Sequence, residues 1–183
     1  MKIMFASDIH GSYYYCDQMF QAYSRENAEK LVLLGDLLYH GPRNDLPRDY
    51  NPKAVIELLN SHKQHLLCVR GNCEAEVDQM VLEFPVMADY AIMYVDGHIL
   101  FLTHGHKYNL DQLPPLSKKD ILIHGHTHIQ AMMETNHCIY LNPGSVSIPK
   151  NGNCHSYMIY EDGVFTIKDL NGSEISNYSV NNN

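Results

Sequence analysis

Five times along this chain, a compact apolar run ends directly in residues that can hold a metal ion. Asp8-Ile9-His10 follows the run Lys2 to Ser7, and Gly35-Asp36 follows Leu31 to Leu34. Gly71-Asn72 comes after Leu66 to Val69, His104-Gly105-His106 after His98 to Thr103, and His124-Gly125-His126-Thr127-His128 completes Ile121 to His124. Short apolar runs of this length read as buried strands. In sheets with parallel strands, functional side chains gather outside the carboxyl ends of those strands. Residues far apart in sequence can therefore converge, and one shared site is the economical reading.

The intervening segments set the architecture. Tyr14 to Ser24 has helical character, and Pro52 stands where a first helical turn tolerates proline, ahead of Ala54, Val55, Leu58 and Leu59 at helical spacing. Strand, helix, strand, helix, strand predicts a parallel sheet with right-handed crossovers. The second half is different. Ala91 to Val95 and His98 to Thr103 flank Asp96-Gly97, and Tyr157 to Tyr160 and Val164 to Ile167 flank Asp162-Gly163, both hairpin signals. With Ile139 to Leu141 as a further strand and few helices left over, the expectation is two sheets packed face to face, with helices on the outer faces of one or both. A single domain over 1–170 is expected, followed by a polar tail, 171–183, that frays. A chain of 183 residues can bury about two-thirds of the surface its unfolded form exposes.

Composition narrows the function. Five cysteines form no CxxC pair, which argues against a disulfide framework or zinc knuckle and for a reducing, cytoplasmic setting. Asp8 interrupts the amino-terminal apolar run too early for a signal-peptide core, and no segment approaches the roughly 18 apolar residues of a membrane span. A formal net charge of −8 excludes a broad nucleic-acid surface. A small phosphorylated ligand remains compatible if something local reverses the sign.

Carboxylates, imidazoles and an amide oxygen without thiolates suit Mn, Fe or Zn in a mixed nitrogen and oxygen shell. The series DxH, GD, GN, HGH and GHTH, with Asn142-Pro143-Gly144-Ser145 after it, resembles the calcineurin-like metallophosphoesterase family, in particular its small YfcE-type phosphodiesterases. The resemblance implies a four-layer αββα sandwich holding two divalent ions. Mn2+ is expected first, with Zn2+, Fe2+ and Ni2+ as alternatives. It also implies that Asp8, His10, Asp36 and His128 hold one ion, and Asp36, Asn72, His104 and His126 the other. A carboxylate can engage one cation through each oxygen, which suits Asp36 as the bridge. Two divalent ions, less two aspartates and a shared hydroxide, leave about one positive charge for a phosphate ligand. The implied reaction is attack of that hydroxide on a phosphodiester.

Within this pattern, Cys73 replaces the histidine that many family members carry after GN, and a thiol is a poor leaving-group acid. That points to diesters with good leaving groups, although Cys73 could equally just pack. Arg43 offers a planar fork to a phosphate oxygen, and His40 is weighed between a leaving-group contact and a loop hydrogen bond. Asp36, Asn72, Cys73 and His40 are therefore the candidate catalytic residues, with Arg43, His40 and Cys73 as candidate substrate contacts. His106 is expected to orient a ligand imidazole, and His124 and the run Tyr13-Tyr14-Tyr15 to pack. His62, His65, His98, His137 and His155 are assigned to surface or packing. The alternatives are a phosphomonoesterase, a nucleotide pyrophosphatase, or a catalytically silent interaction module like the retromer subunits of the same family. The oligomeric state is open, with a homo-oligomer compatible.

Overall fold

The computed structural model describes residues 1–180. β1 (Lys2–Ala6), β2 (Lys30–Leu33) and β3 (Leu66–Cys68) lie parallel, joined by α1 (Tyr13–Glu26) and α2 (Pro52–Ser61). Ser12 caps α1 by accepting from the Tyr15 amide, and Asn51 caps α2 by accepting from Ala54. After the short α3 (Glu76–Val81), β4 (Tyr90–Val95) and β5 (His98–Thr103) form the expected hairpin. Its turn residues Asp96 and Gly97 both have positive φ, as a tight two-residue turn requires. β6 (Ile121–Ile123), β7 (Gln130–Glu134), β8 (Ile139–Pro143), β9 (Ser156–Glu161), β10 (Val164–Asp169) and β11 (Glu174–Ser179) follow.

These strands make two mixed sheets, ordered β11-β10-β9-β1-β2-β3 and β4-β5-β6-β8-β7. In the second sheet β5, β6 and β8 are parallel and central, whereas in the first the three parallel strands form one end of the sheet, with β3 at its edge. Alternation along the strands divides the core. Ile3, Phe5 and Val32 face Leu100, Leu102, Ile121 and Ile123 between the sheets, whereas Met4, Ala6, Leu31 and Leu33 pack under the helices with Met19, Val55 and Leu59. Tertiary burial of these alternating faces fixes each strand's register, because a one-residue slip would exchange the two cores.

The two outer faces are covered differently. Helices cover the first sheet, but Phe101, Leu122 and Tyr140 on the second are covered by Tyr108, Leu110, Leu113 and Leu116 from the segment between β5 and β6, which forms no helix. Pro114-Pro115 and the Asn109 side chain, which accepts from the amides of Asp111 and Gln112, favour turns there.

The expected frayed tail needs correction. Residues 174–179 form the edge strand β11, paired with β10 from Val164↔Ser179 onwards, and Val180 is buried. Pairing with β10 and burial of Val180 hold a segment whose serines and asparagine hide its alternation. Residues 181–183 lie outside the described residues. No helix is long and apolar enough to cross a membrane among the described residues.

Candidate metal centre

Six parallel strands end on one side of the sandwich, and the turns beyond them bring the motif residues together. Asp8 and His10 follow β1, Asp36 follows β2 and Asn72 follows β3, while His104 follows β5 and His126 and His128 follow β6. Asp8, His10 and His128 offer ligand atoms within 4.8 Å of one another, as do Asp8, Asp36 and His104. Five of the seven expected ligands, Asp8, His10, Asp36, His126 and His128, have φ between 51° and 65°. Non-glycine residues rarely adopt this left-handed conformation, and it clusters at functional sites because the surrounding structure must enforce it.

That enforcement is visible. Ser145 and Ser147 hydroxyls both donate to the Asp8 carbonyl at 2.9 Å, and the Val146 amide donates to Ser7. The Asn142 amide group lies within 3.0 Å of the Gly125 carbonyl and Thr127 Oγ1, clamping the loop that carries His126 and His128. A Cβ at Gly125 would collide with Ser7 Oγ, and one at Gly71 with Asp36 Oδ1, so both glycines are required by close approach.

Glu74 is the residue whose role the sequence did not disclose. It is 4% exposed, and its carboxylate accepts from the amides of Asp36, Leu37 and Gly71. It therefore locks the Asp36 turn to the Gly71-Asn72 turn. Burial and the Asp36 charge push its pKa up, opposed by those three amides. An acid directly after Gly71-Asn72-Cys73, beside a glycine with no room for a side chain, was the available signal.

The imidazoles are oriented by main-chain carbonyls. Nδ1 of His10 faces the Tyr39 carbonyl at 2.8 Å, His104 the Leu34 carbonyl at 2.7 Å and His128 the Ile148 carbonyl at 2.6 Å. A proton on each Nδ1 leaves the Nε2 lone pairs turned inward, the arrangement metal-binding histidines use. His10 and His128 bring their Nε2 atoms to 3.2 Å, and His126 Nδ1 lies 3.2 Å from His104 Nε2. Asn72 Oδ1 is 3.1 Å from His104 Nε2.

The carboxylates complete a cation-binding set. Asp8 Oδ2 accepts from the His126 amide, while Oδ1 is buried without a hydrogen-bond partner, 3.2 Å from His128 Nε2 and 3.6 Å from His10 Nε2. Such an orphaned oxygen among inward lone pairs fits a divalent cation. For Asp36 the expectation of one oxygen per ion is corrected. Oδ1 accepts from the Cys73 amide at 2.9 Å, and Oδ2 alone faces both halves, 3.8 Å from His10 and 3.4 Å from His104. Burial opposes charge on His104, but its contact with Asp36 and the charges of Asp8 and Asp36 outweigh this and raise its pKa to about 9.

The other candidates divide. Arg43, Asn72 and Cys73 line a cleft of about 430 Å3 over the cluster, together with His10, Asp36 and His126. Cys73 Sγ donates to Asp36 Oδ2 at 3.3 Å, and burial followed by the Asp36 charge pushes its thiol far up, so it is a neutral donor. His40 does not line this cleft. Its ring packs between Tyr39 and Tyr50, at 4.7 and 5.3 Å, because the Gly41 turn directs the following residues inward instead. His106 is not an orienter of these three rings, since its Nδ1 has no partner and main-chain carbonyls hold His10, His104 and His128. His124 packs on Tyr140, Tyr15 stacks on His155, and Tyr14 lies under Arg48. Thr127 and Lys150 also line the cleft, and sequence patterning offered no reason to select them.

A family model described as the calcineurin-like phosphoesterase superfamily domain matches residues 1–162. The chain belongs to this superfamily. It is 45% identical over 175 residues to the phosphodiesterase YfcE of Escherichia coli K12, covering 96% of this chain and 95% of the relative. The phosphodiesterase MJ0936 of Methanocaldococcus jannaschii is 23% identical over 151 residues, 79% of this chain and 83% of that protein. The solved structure of the E. coli phosphoesterase YfcE superimposes with a TM-score of 0.95 at 43% identity, covering 98% of this chain and 100% of that one. Vps29 of Chaetomium thermophilum, at 17% identity and a TM-score of 0.64 over 98% of both chains, shares the fold. The two mixed sheets and their flanking helices are thus those of the superfamily.

Proposed function

We propose that this chain is a metal-dependent phosphodiesterase acting on a small phosphodiester. One observation carries the reading: the buried, unpartnered Asp8 Oδ1 stands among the imidazole nitrogens of His10 and His128, which themselves line a cleft. The 45% identity to a phosphodiesterase over nearly the whole chain supports it. Asp8, His10, Asp36 and His128 would hold one divalent ion and Asp36, Asn72, His104 and His126 a second, with Asp36 common to both. Such a pair supplies Lewis acidity towards phosphoryl oxygens and lowers the pKa of water.

The chain's own side chains do the rest. Arg43 presents two parallel N–H donors to a non-bridging phosphate oxygen pair. Asn72 and His126, at the cleft surface, fix the orientation of the phosphoryl group relative to the floor. In hydrolysis a water oxygen bonds to phosphorus and the bond to the leaving oxygen breaks. Cys73, held neutral and hydrogen-bonded to Asp36, is too weak an acid to assist that departure. Leaving groups that depart without protonation, such as nitrophenolate, are therefore favoured, and a monoester would place its second negative charge on the reacting phosphoryl group itself, where two ions less their aspartates and a hydroxide would leave about one positive charge.

Mn2+ is the first expectation for the ions, and five cysteines without a disulfide support a reducing, cytoplasmic compartment. The filled ligand set argues against a silent interaction module. Purified, chelator-treated protein resupplied with Mn2+ should hydrolyse bis(4-nitrophenyl) phosphate at least tenfold faster than 4-nitrophenyl phosphate. Hydrolysis of the monoester alone, or equal rates with and without metal, would contradict the reading.

A further inference from the structure

The cleft carries more positive charge than a simple diester can use. Two turns each bring a cation to the cleft. In the first, the Asn44 amide donates to Gly41 O, and Pro42 and Arg43 occupy the corner between them. In the second, the Asn153 amide donates to Lys150 O across Asn151 and Gly152, both with positive φ, and the Lys150 amide donates to the carbonyl of His128. That last bond ties Lys150 to an expected metal ligand. Its position at the cleft is therefore set by the same clamp that positions the His128 ring through Ile148.

Several of the chain's other cations are committed elsewhere, and the unpaired Lys118 and Lys119 line a different cavity. Lys2, Lys63, Lys107 and Lys168 make the lysine ion pairs seen among the described residues, Arg48 lies over the Tyr14 ring, and Arg70 donates to the Glu74 carbonyl. Lys150 and Arg43 take part in none of these pairs. Asp36, an expected metal ligand, is the lone carboxylate lining the cleft among the described residues. In a protein of net charge −8, two unpaired cations facing one cleft are a local reversal of sign. A diester with uncharged arms has a single negative charge, which the metal centre and Arg43 already meet. Lys150 would then face no anion.

Next to it, Thr127 Oγ1 accepts from the Ile129 amide, lies 3.0 Å from the Asn142 amide nitrogen and hydrogen-bonds the Tyr140 hydroxyl, so this side chain is satisfied within the fold and Lys150 is left as the group facing the cleft there. The lining contains no Phe, Tyr or Trp, and its imidazoles belong to the expected metal ligands. Recognition here works through charge and hydrogen bonds. Resting on the phosphodiesterase reading, we propose that the site selects diesters in which one small, polar arm carries a second anionic group, a carboxylate or a phosphate, received by Lys150.

Three probes sharing a 4-nitrophenolate leaving group test this at low ionic strength with Mn2+: 4-nitrophenyl ethyl phosphate, its 2-carboxyethyl analogue, and the analogue bearing a 2-phosphoethyl arm. The quantity read is the ratio of kcat/KM for an anionic arm to that for the ethyl arm. The parent ratio should be about fivefold or more for at least one anionic arm, which identifies carboxylate or phosphate as the preferred group. In Lys150→Gln it should fall towards one through KM, and Lys150→Arg should retain most of it. A parent ratio near one, or a ratio unchanged in Lys150→Gln, overturns the proposal while leaving the phosphodiesterase reading intact. Failure to hydrolyse any of the three probes overturns both.

Discussion

On one side of the metal centre His10 and His128 are 1% and 3% exposed and Asp8 is fully buried. On the other, only His104 is enclosed, while His126 is half-buried and Asn72 exposed. The closed half is held by three elements at once: the β1 turn, the Ser145–Ser147 hydroxyls on the Asp8 carbonyl, and the Ile148 carbonyl on His128. The open half hangs on the Gly71-Asn72 turn, anchored by Glu74 from beneath. Pre-organisation lowers the cost of ordering ligands, so the closed half should bind its ion more tightly and the open half should exchange its ion with solvent. Asp36 Oδ2, reaching His10 and His104, couples the two.

Removing that coupling has the largest expected effect. Asp36→Asn keeps the acceptor for the Cys73 amide but withdraws the charge shared by both halves, and should lower kcat on an aryl diester by about 10³-fold. A loss below about tenfold would mean the halves act independently. Glu74→Gln sharpens the contrast by loosening the Gly71-Asn72 turn of the open half and its tie to the Asp36 turn. Losing charge-assisted bonds to buried amides should cost about 2–3 kcal/mol in denaturant unfolding. Mn2+ affinity should fall for the weaker ion more than for the tighter one.

The pH dependence follows from His104. Its pKa in the folded, metal-free protein lies above the ordinary 6.5, at about 9. Protonated His104 therefore contributes stability that is fully present below about pH 6.5 and is lost as pH rises through 9. Cation uptake needs that nitrogen deprotonated, so affinity rises over the same interval. The gap in Tm between Mn2+-loaded and chelated protein should widen from pH 6.5 to 9, and a constant gap would contradict this assignment. Cys73→Ser gives the smallest effect, within about threefold in kcat, because a hydroxyl can still donate to Asp36 Oδ2.

Much of this was legible in the sequence, and the reasons are local. Apolar runs interrupted by Asp, His and Asn marked strand ends, and the Asp-Gly pairs marked both hairpins, since each signal depends on a few adjacent residues. β7 and β11 were missed because Gln130, Glu134, Asn177 and the serines around it hide alternation on strands exposed along one face. The helix-free cover on the second sheet depends on how Tyr108 and Leu110 to Leu116 pack, which no window of sequence encodes. Within the site, residue types announced the ligands, but the carbonyls behind the imidazoles and the anchoring by Glu74 arise only when distant turns meet. His40 was misplaced for the same reason: its neighbourhood in sequence is the cleft, while its neighbourhood in space is Tyr39 and Tyr50.

The most direct test is calorimetric titration of chelator-treated protein with Mn2+, repeated on Asn72→Ala. Unequal halves sharing one aspartate predict two resolved equivalents in the parent, the second weaker, and in the variant loss of the weaker step with the tighter one retained. A single equivalent in the parent, or loss of the tighter step in Asn72→Ala, would contradict the account.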